Sequence, residues 1–439
     1  MINKKVFKTI KELQTHIKSH VPSFYYSSQT STVIPYDKIE EALSPKGEYT
    51  LCDLSQMPKE MKLLANGNLK IEGAINWKDA RDFLSPQGRT IKTSPTEELA
   101  LIMAGAATSC TGERYFHFGN FRSQIEQITY INFEGEEKQL QKDKPLEFNS
   151  PALELYQNDF KHYEDYKNAP YPRFEKEIDL MIGTEGQLGV ITGIEIETTP
   201  DESVNHLFML VPRWEENSDA HLEVIKKVQA VREDIIVCEL IDANAFSFLK
   251  EEDRPNKGLD AIFLEIKTSS FEKVYEDFIC ALDCVEQDNI YELTGSKFHH
   301  LRASIPRAVF EENSMMGVSK MGTDVQVRID QFDALLDIYK SFATQGVRYN
   351  LFGHFGDAHL HFNFMPSPSD TEKCQKEFER MYKEIVALKG SPFAEHGIGI
   401  IKQKFIKDYW SENQTNLFKE LKDRFDPHNQ FFPQGFMNL

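Results

Sequence analysis

At 439 residues, 40% hydrophobic and 12% aromatic, the chain is too long for one ordinary core and too apolar to be largely disordered, so two domains are expected. A formal charge of −19 excludes broad nucleic-acid binding, which needs a basic face to displace counterions. Six cysteines without a CxxC pair exclude a cysteine-held iron–sulfur cluster, so any electrons handled here would leave to a separate acceptor.

Only the opening leans basic. Lys4, Lys5, Lys8, Lys11 and Lys18 alternate with apolar residues, which predicts a solvated amphipathic helix over the first twenty residues, with a weak membrane contact as the alternative. No apolar leader core is visible near the start, and the run "LALIMAGAA" at 99–107 is too short to span a bilayer. A soluble, cytoplasmic protein is expected, with peripheral membrane contact the one exception.

Strands are predicted at "YTLCDLSQM" (49–57), in "GNLKIEGAINWKDARDFL" (67–84) ahead of a helix from Trp77, and as a pair across "YFHFGNFRSQIEQITYINFEGEEKQL" (115–140) with a turn at Glu134-Gly135. "IDLMI" (178–182) and "VITGIEIETTP" (190–200) read as further strands, giving an irregular α+β first half. From about 201 the texture changes to strand–helix units. "HLFMLVPRW" precedes a helix at 221–231, "AIFLEIKT" one at 271–285, and "TDVQVRI" (323–329) one at 332–345. "YNLFGHF" and "HLHFNFM" follow, and a last helix covers 413–425. Cys280 and Cys284 are spaced as neighbours on one helix face, where buried free thiols are expected.

Glycines 183, 186 and 189 form a GxxGxxG loop between two strand-like runs. A Rossmann fingerprint would be GxGxxG and would open a helix, so that dinucleotide site is disfavoured. The loop reads either as a structural hairpin or as backbone that approaches a flat or phosphorylated ligand. "AGAATSCTGERYFHFG" (104–119) is a second small-residue tract. Its hydroxyls and exposed N–H groups suit a pyrophosphate, and its small residues equally suit a tight helix–strand contact.

The densest polar chemistry is "NLFGHFGDAHLHF" (350–362), with three of the chain's 13 histidines. His359 and His361 are two apart and share one face of a strand, and the Gly356-Asp357 turn can fold His354 back beside them. Converging imidazoles plus a carboxylate from elsewhere make a metal site with an open position. "AEHG" (394–397) offers Glu395, with His396 next to it. The plainer alternative is hydrogen-bonded histidines on a half-exposed strand.

Taken in order, these tracts resemble a known family. "KNAPY" with "IDLMIGTEGQLGVIT", and "GAATSCTGERYFHFGNFR", resemble the flavin-loop segments of FAD-binding PCMH-type flavoproteins (the vanillyl-alcohol oxidase superfamily). "FGHFGDAHLHF", "FAEHGIGIIK" and "FDPHNQFFPQG" resemble signatures of the D-2-hydroxyacid dehydrogenase branch, which includes glycolate oxidases and D-lactate dehydrogenases. The match runs over roughly residues 50–439.

The resemblance implies an α+β architecture. A PCMH-type FAD domain of two α/β subdomains would cover 1–200, a ferredoxin-like substrate or cap domain 201–410, and 411–439 would return to the FAD domain. FAD contacts would fall on Ser28, Thr30 and Ser31, on Thr108, Ser109, Gly112 and Gly119, and on Gly183, Glu185, Gly186, Gly189, Val190 and Ile191. Two departures stand out. "YYSSQTSTVI" (25–34) lacks the family's pyrophosphate glycines, and Phe432 stands where Asn is usual.

For the chemistry, the resemblance implies a divalent ion, Zn in the first instance, on His354, His361 and Glu395. His396 would be the base that takes the substrate's hydroxyl proton, and FAD would accept hydride. His359, where the motif usually has Asn, would face substrate or stand behind the metal ligands. Arg302 in "HHLRASIPRAV" would clamp the carboxylate, with Lys320 as its partner and Pro306 replacing a hydroxyl. The implied reaction oxidises a small D-2-hydroxy acid and passes electrons to a quinone, an electron-transfer protein or an iron–sulfur partner. Rival readings are an alkylglycerone-phosphate-synthase-like flavoenzyme and a non-catalytic, flavin-poor subunit.

Overall fold

The structure, a computed structural model, describes residues 2–44, 47–164, 166–167, 172–254, 258–318 and 321–439. It divides into two compact units of mixed helix and sheet. The first comprises Met1–Thr111, Asn120–Asp201 and Glu395–Leu439; the second comprises Gly112–Gly119 and Glu202–Ala394. Among the described residues no helix is long and apolar enough to cross a membrane.

In the first unit, Ile2–Val6, Tyr49–Asp53 and Ser23–Tyr26 form a parallel three-stranded sheet in that order. An antiparallel five-stranded sheet runs Lys59–Leu63, Leu69–Gly73, Val190–Ile196, Ile125–Ile131, Glu137–Gln141. The helix predicted near Trp77 spans Trp77–Leu84. Asn76 caps it by accepting the Asp79 N–H, and Trp77, Ala80 and Leu84 form its buried stripe.

Several elements differ from the sequence expectation. The basic opening is not one helix, because Ile2–Val6 pairs as a strand and the helix starts at Ile10, capped by Thr9. "IDLMI" is not a strand either: Glu177–Leu180 is a 3-10 turn. Its cause is the fully buried Asp179, which accepts the N–H groups of Glu175 and Lys176 and a two-pronged ion pair from Arg122. The glycine loop therefore joins a 3-10 turn to a strand. Tyr115–Phe118, expected as strand, is a short helix of the second unit, its aromatic alternation overridden by a turn from Gly112.

The second unit is built on an antiparallel sheet whose main path runs Ile290–Leu293, Val204–Val211, Asp260–Lys267, Ile235–Ile241, Arg348–His354, His359–Met365, Met321–Gly322. "TDVQVRI" contributes only the short strand Val325–Gln326, which also pairs with His359–Met365. The helix expected over 271–285 stops at Asp277, and Cys280 and Cys284 beyond it are exposed rather than buried. Gly295–Met315 is the longest helix described; Thr294 caps it and Pro306 lies inside it. Its buried stripe is Phe298, Leu301, Arg302, Ile305, Val309 and Asn313, so the arginine is on the apolar face.

The last helix, Glu412–Phe425, opens with a Ser411/Gln414 capping box and buries Leu417, Phe418, Leu421 and, in the same stripe, Lys422. Lys422 Nζ donates to Asp426 Oδ2 (2.5 Å), the Phe431 carbonyl (3.0 Å) and the Gln187 carbonyl (3.1 Å). Asp426 also accepts the N–H groups of Gln430 and Phe431, both at 2.9 Å. Burial lowers the lysine's pKa and raises the aspartate's, each opposed by the partner. Lys422→Met leaves a buried carboxylate with no counter-charge from this helix. It should cost about 3–5 kcal/mol in urea denaturation, and the added Asp426→Leu substitution should recover part of that loss.

Candidate functional sites

A cleft in the first unit has an empty volume of about 1140 Å³, counting its solvent-open part. Among the predicted residues, Ser28, Thr30, Ser31, Thr108, Glu185, Gly186, Gly189, Val190 and Ile191 line it. Ser109 and Gly183 are adjacent to each other, since a Cβ added to Gly183 would stand 3.4 Å from Ser109 Cβ. Gly112 and Gly119 group with the second unit.

The two small-residue tracts are knit together. The Gly183 N–H donates to the Ala106 carbonyl (3.2 Å) and the Glu185 N–H to the Ala107 carbonyl (2.8 Å), at the end of the helix Ile102–Ala107. Gly186 has φ +72°, and a Cβ there would meet only the Gly189 carbonyl, at 3.9 Å. Residues missed in the sequence are the aromatic wall, Phe24, Tyr25 and Tyr26, together with Gly399 and Phe432. Phe432, noted as a departure, packs edge-on against Phe24 with ring centroids 4.8 Å apart. The signal available was "FYY" directly before the hydroxyl run. This lining fits a dinucleotide: apolar walls for a flat ring, hydroxyls and glycine backbone for phosphates.

Glu185 is the charged group among the cleft's described lining residues. It accepts the Ile398 N–H (2.6 Å) and the Gly399 N–H (3.0 Å). Burial raises its pKa to about 7 from 4.5, although those N–H groups and Lys402 oppose the shift.

In the second unit the hairpin Arg348–His354/His359–Met365 sets His354 opposite His359 and Phe352 opposite His361. His354, His359 and His361 are 4%, 0% and 6% exposed, and each offers a ring nitrogen within 4.8 Å of the others'. Gly353 permits this, because a Cβ there would lie 3.1 Å from His361 Cδ2 and 3.0 Å from the His359 carbonyl.

Each ring is oriented by an acceptor. His354 Nδ1 lies 2.7 Å from Glu239 Oε1, His359 Nε2 lies 3.0 Å from Asp324 Oδ1, and His361 Nδ1 lies 2.9 Å from the Thr323 carbonyl. Protons on those nitrogens leave the opposite nitrogen of each ring as a lone-pair donor, the arrangement that holds metal-binding histidines. The donor set therefore fits a divalent ion.

Arg302 donates to Glu113 and to Glu239 Oε2 (3.2 Å), so Glu239 bridges Arg302 and His354. Burial works against the guanidinium's charge, but Glu113 and Glu239 outweigh it and raise its pKa. Sequence reasoning missed Glu113, Glu239 and Asp324. The last two were marked by position, as lone carboxylates inside the apolar runs "IIVCELI" and "TDVQV". Glu395 (7% exposed) and the half-buried His396 open the return segment and belong to the first unit. Lys320 lies outside the described residues.

A family of FAD linked oxidases, defined on their C-terminal domain, matches residues 202–434, and the chain belongs to that family. D-lactate dehydrogenase [cytochrome] 1, mitochondrial, of Saccharomyces cerevisiae is 20% identical over 82% of this chain and 59% of its own length. D-2-hydroxyglutarate dehydrogenase of Xanthomonas citri is 23% identical over 74% of this chain and 66% of its own. Glycolate oxidase subunit GlcD of Bacillus subtilis is 22% identical over 58% and 55%. The chain thus spans between about half and two thirds of these relatives' lengths. A solved alkyldihydroxyacetonephosphate synthase superposes with a TM-score of 0.66 at 12% identity, over 98% of this chain and 75% of that one. That likeness shows the fold alone.

Glu185 gives a pH test of the cleft. Its carboxyl binds a proton more tightly folded than unfolded, so the stability it contributes is fully present below about 4.5 and lost as pH rises through about 7. Glu185→Gln removes that dependence. The melting temperature of the variant minus that of wild type should increase by a few degrees between pH 5 and pH 8; a constant difference would show that Glu185 titrates normally.

Proposed function

We propose that this protein is an FAD-dependent oxidoreductase that oxidises a D-2-hydroxy acid to the 2-oxo acid. The observation that carries the reading is the buried His354/His359/His361 cluster, each ring oriented by an acceptor, in the part of the chain that matches the FAD-linked oxidases. The D-lactate, D-2-hydroxyglutarate and glycolate relatives act on the same substrate class.

In this reading the first unit is the PCMH-type FAD-binding part, with its two α/β subdomains, and the second is the ferredoxin-like substrate or cap part. Ser28, Thr30, Ser31 and Thr108 would hold phosphate through hydroxyls, and the backbone from Gly183 to Ile191 would hold the ring; Ser109, Gly112 and Gly119 are carried here by their motif. FAD, when bound, supplies the hydride acceptor. His354 and His361, with Glu395 added by its motif, would hold a divalent ion, Zn first, which would supply Lewis acidity.

His396 takes the hydroxyl proton as general base, and His359 positions the substrate side of the cluster. Arg302 binds the substrate carboxylate by exchanging it for Glu113, with Lys320 assisting. The electrons would leave to a separate acceptor, with the protein in the cytoplasm or peripheral to a membrane.

A second reading, a flavin-poor subunit without turnover, is favoured by the absence of glycine from residues 27–31 and by Phe432 in the cleft wall. A synthase-like carbon–oxygen exchange is the other alternative, since a fold alone carries many reactions.

The test is the absorbance spectrum of purified protein before and after adding a panel of D- and L-2-hydroxy acids. A yellow protein bleached by a D-acid is expected, and His396→Asn should keep its colour but bleach on the order of 10²–10⁴-fold more slowly. A colourless protein supports the flavin-poor subunit; a yellow protein that no hydroxy acid bleaches supports the synthase-like chemistry. Gly186→Ala, strained at positive φ by roughly 1–2 kcal/mol, should still fold and should lose flavin.

A further inference from the structure

A second cluster in the second unit is not used by the reaction above. His206 lies on the strand Val204–Val211 and Glu265 on its antiparallel neighbour Asp260–Lys267, where the two residues are directly opposed. Opposed residues of an antiparallel pair project from the same face of the sheet. His299 reaches this face from the start of the helix Gly295–Met315. Glu265 Oε1 is 3.5 Å from His206 Nε2 and 3.9 Å from His299 Nε2, and one donor atom from each of the three lies within 4.8 Å of the others. Tetrahedral zinc, with bonds of about 2.0–2.2 Å, sets its ligands roughly 3.3–3.5 Å apart. The cluster is within a small side-chain adjustment of that spacing.

The surroundings are built around the His206 ring. Gly295 begins the helix there, and a Cβ on it would stand 3.0 Å from His206 Cε1. Phe298 packs on the ring with centroids 4.7 Å apart, and His299 meets it edge-on at 5.6 Å. His206 is 8% exposed, and among the described residues its Nε2 makes no hydrogen bond. Its polar neighbour is Glu265 Oε1, at a long 3.5 Å, so this buried nitrogen is only weakly satisfied, and weak satisfaction of a buried polar atom costs free energy. The His299 side chain is 59% exposed, which leaves an approach for an ion and for a solvent ligand.

The local charge also favours a cation. Arg114 and Arg302 lie within electrostatic reach of Glu265, while Glu113 and Glu239 pair with Arg302. Three carboxylates against two guanidiniums leave a net negative group before any ion binds.

We propose that His206, Glu265 and His299 bind a divalent transition-metal ion of the zinc class, at a site separate from the His354/His361 cluster. Two strands and a helix supply the ligands, with an open position toward solvent. Because His299 and Arg302 are one turn apart on the same helix, the bound ion pins to the sheet the segment that carries the arginine.

The experiment is Zn2+ titration of chelator-treated full-length protein by calorimetry, for wild type, His299→Ala, His361→Ala and the double variant. His299 is largely exposed, so its loss should leave the fold intact. His299→Ala should bind about one Zn2+ equivalent fewer than wild type. His361→Ala should retain an equivalent that the double variant lacks, which separates this site from the one proposed for the reaction. Zn2+ should also raise the melting temperature of His361→Ala but not that of the double variant. Equal stoichiometry for wild type and His299→Ala, or no binding to wild type, would overturn the proposal.

Discussion

Glu239 stands in the middle of Ile235–Ile241, a strand buried at every position, where an unpaired carboxylate would cost several kcal/mol. It is stable there because one oxygen is met by His354 and the other by Arg302. The same interaction explains why Arg302 can lie on the buried stripe of its helix, and why the His354 ring has one orientation. The cluster is therefore a consequence of how the second unit's core solves a charge problem, not a decoration of its surface.

The first unit solves a different problem by different means. Its cleft is lined by hydroxyls, glycines and aromatic rings, and its acidic group is held by backbone N–H groups. Such a lining offers neutral donors to an anionic ligand and relies on oriented dipoles in place of counter-charges. The second unit instead concentrates Arg302, Glu113, Glu239, Asp324 and the three histidines in a buried network. Neutral donors suit holding a large cofactor, and fixed charges suit orienting a small polar substrate.

Much of this was legible in the sequence, and the failures have physical causes. Period-two alternation located Val204–Val211, Asp260–Lys267, Arg348–His354 and His359–Met365, and the spacing of the histidines gave their shared face. The same alternation misled at residues 178–182, where an aspartate that collects backbone N–H groups turned an apolar run into a 3-10 turn. Cys280 and Cys284 were misplaced because the helix ends at Asp277, and a shared helix face has no meaning beyond it. The partners of the cluster could not be paired from sequence at all. Glu239 precedes His354 by 115 residues, and only the strand order of the sheet brings them together.

One architecture is shared with an alkyldihydroxyacetonephosphate synthase, while the sequence relatives are D-lactate and D-2-hydroxyglutarate dehydrogenases, so these proteins carry different reactions. Architecture cannot decide between them, because a fold carries many reactions and a site carries one. What discriminates is whether the residues around the reacting atoms can bind a carboxylate and take a proton from a hydroxyl. Arg302 already holds a carboxylate, that of Glu113, so its geometry for that group is demonstrated within the chain itself. The histidine rings are fixed by Glu239, Asp324 and the Thr323 carbonyl, and fixed rings need little reorganisation when they act. Buried charges and rings that are each met by a fixed partner form a preorganised polar site, and such sites are where perturbed, chemistry-bearing groups concentrate.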